Sequence, residues 1–464
     1  MTTPIIYILV PFLVSIILYL IHKQTKILFY VGISLCALLV FFAIFQDFGA
    51  IWKVGSVSLE IRSSMVILGR TFAITNQDKF FLIFVYTCTA IWFGATRVVK
   101  VNSRFIPLVL AIVSILTSAL AVEPFLYSAI LVEIAVLVSI PLMLQPRNAI
   151  GKGVVRFLVF QSIAMPLILF GGWLLGGIQA SLSDPVRQLQ SVMFLGVGFA
   201  FWLAIVPFQS WVPQLAKEID PLVSGIILGL FPVVTMLIML DFISGLVWLR
   251  ESPFLQPVLR LVGSIMVVST GIWALTEKDG RRLLGYSVLL ESGFAVLAVS
   301  LQSEIGVLTL FLSFIPRMGA LALMALSLAV FLRNGVTPDQ ENLVGLIRRF
   351  PFASIGFIVA LLSVAGIPLF AGFPTRLAVI SQLANVDPQS AVWSIIGIIA
   401  FVFSIIRFLR SLSKPVFEDW TRAETLGQVG LITIGLFVIL LFGVLPNLFG
   451  EQIATLLMNL PILR

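Results

Sequence analysis

The sequence GFAFWLAIVPFQSWVPQLAKEIDPLVS, residues 198–224, sets the architecture predicted for the whole chain. Its apolar run is interrupted by Pro207 and, six residues later, by Pro213. Because a proline removes one helix hydrogen bond and clashes with the preceding turn, the helix must kink or break there. The stretch VAGIPLFAGFPTRLAV carries Pro368 and Pro374 with the same spacing. Two interrupted helices in corresponding halves of a chain indicate an internally repeated transporter fold.

The composition is that of a polytopic membrane protein. Of the 464 residues, 60% are hydrophobic and only 11% are charged, whereas about a quarter are charged in soluble domains. The mean hydropathy is +1.13. Fourteen apolar segments have about the 20 residues that a bilayer requires. The predicted spans cover residues 4–22, 27–46, 79–96, 105–122, 124–145, 154–176, 190–211, 222–247, 257–275, 283–302, 305–332, 351–382, 390–412 and 427–447.

The distribution of basic residues predicts the orientation of these spans. Most of the Lys and Arg residues in loops follow odd-numbered spans, so the positive-inside rule places both termini on the extracytoplasmic side. Residues 1–104 form spans 1–3, with an extracytoplasmic hairpin loop between spans 2 and 3. Residues 105–248 form a first repeat of spans 4–8, and residues 257–412 form a second repeat of spans 9–13. Residues 413–464 provide span 14 and a short C-terminal interfacial helix.

Residues that hold metals or soluble cofactors are scarce. His22 is the only histidine, and Cys36 and Cys88 both lie within apolar runs. The sequence contains no phosphate-binding P-loop, no dinucleotide fingerprint and no CxxC pair. We therefore expect no metal and no cofactor in this chain.

Four ionisable residues lie inside predicted spans, where each costs about 2.5–3.5 kcal/mol and requires an explanation. Glu133 and Glu291 are in the middle of spans 5 and 10, Arg317 is in span 11, and Arg376 follows the second break. Glu133 and Glu291 precede the first proline of their own breaks by 74 and 77 residues, so the two carboxylates occupy near-equivalent positions. Two interpretations stay open. The four residues form a proton path, or they form neutralised pairs, such as Glu291 with Arg317, that fix helix packing.

Three segments together resemble a known family. FWLAIVPFQSWVPQLAKEIDPLVS resembles the signature of the antiporter-like membrane subunits of respiratory complex I (NADH:quinone oxidoreductase) and of Mrp-type cation/proton antiporters. EKDGRRLLGYSVLLESGFAVLAV and AGIPLFAGFPTRLAV resemble two further segments of that family, and Glu133 matches the glutamate of its fifth span. The residues that keep the signature are Pro207, Phe208, Trp211, Pro213, Glu218 and Ser224.

The resemblance implies an all-α fold of about 14 transmembrane helices, with two inverted five-helix repeats and discontinuous spans 7 and 12. It also implies a multisubunit complex in which quinone, flavin and Fe–S centres belong to partner subunits. The chain departs from the family at its proton-carrying positions. Trp202 and Pro232 stand where spans 7 and 8 carry a lysine or histidine, and Arg376 stands at the span-12 position. Because tryptophan carries no proton and arginine stays protonated at physiological pH, the lysine relay is interrupted.

Three functions follow from this sequence. In the first, the chain is a membrane-arm subunit of a complex I-like (NAD(P)H or ferredoxin:quinone oxidoreductase) or Mrp-like complex. It has no redox chemistry of its own and participates in proton or cation translocation, with Glu133 and Glu291 carrying protons and Arg376 and Arg317 tuning them. In the second, it is a non-conducting structural scaffold in such a complex, and in the third it is a stand-alone secondary transporter. A polar path from Glu133 to Arg376 favours conduction, whereas an aromatic-filled midplane favours the scaffold.

Expected partners are other membrane subunits, lipids and quinone near an interface, with no nucleic acid. The expected location is the bacterial cytoplasmic membrane, or a thylakoid or organellar inner membrane.

Overall fold

The fold was analysed in a computed structural model, which describes residues 2–48, 51–54, 57–60, 62–67, 69–144, 151–178, 185–415 and 421–448. Within these ranges the chain forms seventeen α-helices and five short strands. The helices are α1 Val10–Leu20, α2 Thr25–Phe45, α3 Lys79–Val98, α4 Phe105–Ala121, α5 Ser128–Met143, α6 Lys152–Ile178, α7 Pro185–Trp202, α8 Trp211–Glu218, α9 Pro221–Gly245, α10 Val247–Arg250, α11 Leu255–Thr276, α12 Gly280–Ser300, α13 Glu304–Arg333, α14 Pro351–Ala365, α15 Phe373–Val386, α16 Pro388–Ser413 and α17 Leu426–Val444. The strands are β1 Ile51–Val54, β2 Val57–Glu60, β3 Ser64–Ile67, β4 Arg70–Ala73 and β5 Val122–Glu123.

The helices are those of a multi-pass membrane protein. Among the described residues, ten helices are long and apolar enough to cross a membrane, and three further apolar helices are shorter. Each of the fourteen predicted spans overlaps a helix. Spans 7 and 12 each overlap two, and span 8 overlaps α9 and the first residue of α10. The number of helices that cross a membrane and the division into repeats remain predictions.

Polar side chains at the loop ends begin several of the helices. Asp220 and Asp279 accept hydrogen bonds from the first-turn backbone N–H groups of α9 and α12, at 3.0 and 2.9 Å. Ser303 caps α13 in the same way at 3.1 Å, and Thr425 forms a capping box with Gln428 at the start of α17. Such caps satisfy the donors that a helix start leaves unpaired.

The loop between α2 and α3 contains two antiparallel hairpins, where the sequence predicts one. β1 pairs with β2 and β3 pairs with β4, and β5 from the loop after α4 adds to β4. The backbone N–H of Thr3 donates to the carbonyl of Arg62 at 2.9 Å. The N-terminus and these two loops therefore lie at one end of the helix bundle.

The helices differ strongly in burial. Of an apolar stretch of 18 residues in α12, 94% is buried within the protein, whereas only 17% of the corresponding stretch of α17 is buried. Helices α9 and α13 are buried to nearly the same degree as α12, and α2, α6 and α16 are peripheral. Glu291 and Arg317 therefore sit on central helices, and Glu133 sits on the less buried α5.

The predicted C-terminal interfacial helix falls almost entirely outside the described residues. The last described element is one 3₁₀ turn at Pro446–Leu448.

Candidate functional site

The first helix break separates α7 from α8. Helix α7 ends at Trp202, α8 begins at Trp211, and Pro207 lies in the connection. The side-chain amide of Gln161 on α6 donates to the carbonyl of Trp202 at 3.5 Å, so one carbonyl at the end of α7 has a protein partner. Pro213 lies in the first turn of α8, where a helix needs no N–H from it.

The second helix break separates α14 from α15. Helix α14 ends at Ala365, followed by Gly366 at a φ of +72°, and α15 begins at Phe373. Pro368 lies in the connection, whereas Pro374 lies in the first turn of α15. Glycine fits this left-handed position because it has no Cβ.

A buried ion pair forms at this second break. The guanidinium Nη2 of Arg376 lies 2.5 Å from Oε1 of Glu291, and the two side chains are 4% and 5% exposed. The same Nη2 donates to the carbonyl of Val364 at the end of α14, at 3.3 Å. The guanidinium also lies over the ring of Phe294, 4.1 Å from its centroid. Arg376 thus joins α15 to α12 through the ion pair and the Phe294 ring, and to the end of α14 through the carbonyl of Val364.

Arg317 supplies a second buried positive charge beside this pair. It is 2% exposed, donates from Nη2 to Oγ of Ser292 at 3.3 Å, and interacts electrostatically with both Glu291 and Arg376. The Nε atoms of both arginines are buried without a hydrogen-bond partner among the described residues. We call Glu291, Arg317 and Arg376 the charge cluster; it holds two cations and one anion.

The pairing differs from the one expected from the sequence. The sequence interpretation offers Glu291 with Arg317 as a neutralised pair, but the direct ion pair of Glu291 is with Arg376. Ser292, Phe294 and the carbonyl of Val364 also contact the cluster and were not identified from the sequence. Ser292 follows Glu291 directly, and Phe294 lies about one helical turn beyond it, so helical periodicity provides a signal for both.

Glu133 lies apart from the charge cluster. Its Oε1 accepts a hydrogen bond from the hydroxyl of Ser162 on α6 at 2.6 Å, and its Oε2 is buried without a partner. The residue itself is half-buried, and its neighbour Ile134 is exposed. Among the described residues, no ion pair or hydrogen bond joins Glu133 to an arginine or to the cluster. Ser162 was not identified from the sequence, although a hydroxyl within an apolar span is a detectable signal.

Apolar packing surrounds the two positions at which the family's relay residues are missing. Trp202 is 2% exposed and lies edge-on to Phe199, which in turn packs on Phe242. Pro232 is buried inside α9, next to Phe231. The small gap between α4 and α9 has only apolar lining residues. This part of the protein offers no ionisable side chain at either position.

Helix α12 contacts segments of both broken helices. Besides the ion pair to α15, its N-terminal Asp279 lies 3.3 Å from Nζ of Lys217 on α8. A Cβ on Gly285 of α12 would lie 2.6 Å from the Cα of Pro213 on α8. The two helices therefore approach so closely that only glycine fits at that contact.

The described residues contain no group of three His, Cys, Asp or Glu side chains arranged to hold a metal ion. The charge cluster combines two guanidinium groups, which stay protonated at physiological pH, with one carboxyl group.

Residues 177–405 match the protein family described as NADH:quinone oxidoreductase/Mrp antiporter, TM. The chain is 26% identical to NADH-quinone oxidoreductase subunit N 2 of Acidobacterium capsulatum, over 65% of this chain and 66% of that protein. The match thus spans slightly less than two thirds of that relative's length.

Two solved structures have the same fold. A chain of the Mrp complex from Dietzia sp. DQ12-45-1b superposes with a TM-score of 0.83, at 16% identity and 99% coverage of both chains. A chain of respiratory complex I from Thermus thermophilus superposes with a TM-score of 0.73, at 18% identity, covering 95% of this chain and 98% of that one. At these identities the likeness concerns the fold.

Proposed function

Because this chain belongs to the NADH:quinone oxidoreductase/Mrp antiporter family of membrane subunits, we propose that it is an ion-translocating subunit of a complex I-like or Mrp-like assembly. In this proposal the charge cluster at the second helix break is the working element. The observation that carries it is the 2.5 Å contact between Glu291 and Arg376, buried among apolar helices.

The burial of the cluster supports a functional role. Moving charges out of water costs several kcal/mol per ion, and replacing a buried ion pair by apolar residues is often neutral or stabilising. Packing alone therefore does not require this pair. The cluster also contains one arginine more than it contains carboxylates, so pairing does not neutralise it.

The break supplies a way to change the pairing. Arg376 lies on α15, three residues after its start, and the connection from Gly366 to Gly372 is not helical. A shift of α15 that moves Arg376 away leaves Glu291 buried with less positive charge beside it. A buried carboxyl that loses its counter-charge favours the protonated form. Opening and closing the pair would then load and release a proton at Glu291.

Glu133 is the corresponding candidate in the first half of the chain. Its Oε2 is buried without a partner, and Ser162 holds Oε1 at 2.6 Å. We propose that it takes up a proton independently of the charge cluster, because no side chain at Trp202 or Pro232 can relay one.

A non-conducting scaffold is the second candidate function. Two observations favour it: the aromatic packing of Trp202 and, among the described residues, the lack of a hydrogen bond or ion pair that joins Glu133 to the charge cluster. In that role the charge cluster would only fix the contact between α12 and α15.

The substitution Glu291→Gln separates the two functions. It keeps the shape of the side chain and removes both its charge and its proton exchange. In membrane vesicles that contain the assembled complex, we expect ion translocation per turnover to fall at least about tenfold, as for loss of a proton-transfer group. Arg376→Lys should retain part of the activity because the positive charge is kept.

Glu251→Gln is the matched control, since Glu251 is an exposed carboxylate in the loop after α10. It should translocate ions as the native protein does. Unchanged ion stoichiometry in Glu291→Gln, with normal assembly, would exclude the charge cluster as the working element. If Glu133→Gln also left the stoichiometry unchanged, the scaffold would be the better account.

A further inference from the structure

A cleft of about 230 Å³ lies where the starts of α2 and α4 meet the end of α3. Its polar lining includes Lys26, Arg97 and Ser103, and its apolar lining includes Phe29 and Ile106. The cleft is far in sequence from the charge cluster and is formed by the N-terminal helices. The lining of the cleft thus combines cationic side chains with apolar ones.

The positive charge around this cleft has no ion-pair partner among the described residues. Five cationic side chains lie in the two loops at its rim or in the adjoining turns of α2 and α3, and none of them makes an ion pair within the ranges that the structure describes. The sequence contains no Asp or Glu at positions 1–46 or 79–122. The five residues are Lys23, Lys26, Arg97, Lys100 and Arg104. An uncompensated cluster of this kind attracts anions.

Arg97 is held in place before any ligand binds. Its Nη1 donates to the hydroxyl of Tyr30 at 3.1 Å. Its guanidinium lies 5.1 Å from the ring centroid of Phe29 and 5.5 Å from that of Tyr30. These contacts fix the side chain without using a carboxylate, so its remaining donors stay available for an anion.

The surface next to the cleft suits a lipid chain. Tyr30 is 56% exposed, and the outward face of α2 continues through Leu38 and Phe41 to Phe45, which is 70% exposed. These side chains follow the helical spacing of a single face. An anion bound in the cleft thus lies at the end of a largely apolar stripe, in which Ser34 is the exposed polar residue between Tyr30 and Leu38.

We propose that this cleft binds the phosphate headgroup of an anionic phospholipid, with an acyl chain along the exposed face of α2. Basic pockets between membrane helices recognise such headgroups by charge, and arginine presents donors matched to phosphate oxygens. A free phosphate ion would use the cations but would leave the apolar stripe without a role. The stripe is the reason to assign a lipid.

Binding to the purified full-length chain in detergent tests this assignment. The probes are phosphatidylglycerol, phosphatidylcholine of the same chain length and inorganic phosphate, and native mass spectrometry measures the bound fraction. We expect phosphatidylglycerol to bind at lower concentration than either of the others. The double substitution Lys26→Gln and Arg97→Gln should weaken its binding on the order of thirtyfold, the sum for two surface cations.

Lys100→Gln is the matched control, because Lys100 is exposed on the same rim but does not line the cleft. Because it removes charge from the rim but no side chain from the cleft, it should weaken phosphatidylglycerol binding much less than the double substitution does. Arg97→Lys provides a milder test that keeps the charge and removes the contact with Tyr30, and it should weaken binding less than the double substitution. Equal binding of phosphatidylcholine or of phosphate, or equal weakening by Lys100→Gln, would overturn the proposal.

Discussion

At the scale of single residues, the position of Arg376 depends on the absence of a side chain at Gly366. Gly366 has a φ of +72°, and a Cβ at this position would overlap the Cγ of Arg376. The glycine thus both ends α14 and leaves room for the arginine to reach Glu291. The ion pair forms because the backbone turns at Gly366 and the aliphatic part of the Arg376 side chain passes close to that turn.

Gly366→Ala should therefore destabilise the protein and disturb the pair. An L-residue in the left-handed region costs about 1–2 kcal/mol, and the displaced arginine adds to that cost. We expect the free energy of unfolding in detergent to fall by roughly 2 kcal/mol or more, with ion translocation reduced as well. Gly94→Ala is the control, since a Cβ there meets no heavy atom within 4 Å. Equal stability of the two variants would contradict this account of Gly366.

The sequence identified the members of the charge cluster but not its pairing. Glu291, Arg317 and Arg376 stand out because charges are rare in apolar spans. Which arginine contacts the carboxylate depends on the path of the chain through the second break, which no spacing rule supplies. The same holds for Glu133, whose partner Ser162 comes from a neighbouring helix.

At the scale of elements, the two helix interruptions follow directly from proline chemistry. Pro207 and Pro368 lie in the non-helical connections, as an apolar run with an internal proline predicts. Pro213 and Pro374 instead lie in the first turns of the following helices, where proline is well tolerated. Sequence spacing alone does not distinguish a proline that ends a helix from one that begins the next.

The contact between α8 and the start of α12 includes a titratable group outside the spans. Asp279 caps α12 and lies 3.0 Å from Nη2 of Arg281 and 3.3 Å from Nζ of Lys217. Burial alone would raise the pKa of Asp279, but hydrogen bonds from Arg281 and the charges of Arg281 and Lys217 lower it below its usual value of 3.8. Its stabilising effect is thus complete above pH 3.8 and is lost as the pH falls through the lower pKa of the folded protein.

Asp279→Asn should lower the free energy of unfolding at pH 7 by about 1–2 kcal/mol. Asparagine retains the cap, so the loss reports on the charged contacts. The difference from the native protein should shrink as the pH falls below 3.8. Asp387→Asn is the matched control, because Asp387 caps α16 through Ser390 and has no ion pair among the described residues. The interpretation fails if both variants lose the same stability at pH 7.

At the scale of the whole molecule, composition and span length were sufficient to predict a polytopic helical protein. The two hairpins between α2 and α3 were only partly anticipated, because part of their pairing uses β5, far away in the sequence. The two halves of the chain differ: the second contains the charge cluster, and the first has apolar packing at Trp202. The residue types at Trp202 and Arg376 indicate this difference in the sequence. The contacts that these residues make could not be predicted, since packing between distant helices is not encoded in local periodicity.

Contacts between loops divide the ends of the helices into two sets. Asp220 lies 2.7 Å from Arg333, and Gly345 donates to the carbonyl of Ser411 at 3.1 Å, so loops after odd-numbered spans meet at one end. At the other end, Gln256 donates to Gln302 at 2.9 Å, which joins loops after spans 8 and 10. This segregation agrees with the alternation predicted for spans 7–13, and the total of fourteen stays a prediction. Together with the positive-inside rule, it leads us to propose that both termini are extracytoplasmic.

Labelling with a membrane-impermeant maleimide tests that orientation in intact cells. The native cysteines Cys36 and Cys88 are both buried, so the native chain serves as the unlabelled reference. Glu251→Cys, after span 8, should react in intact cells, because its exposed loop faces outward in the proposed orientation. Gln24→Cys, after span 1, should react only after the cells are permeabilised. The reverse pattern would invert the topology, and it would move the cationic cleft to the outer leaflet, where the anionic surface potential of the cytoplasmic leaflet is absent.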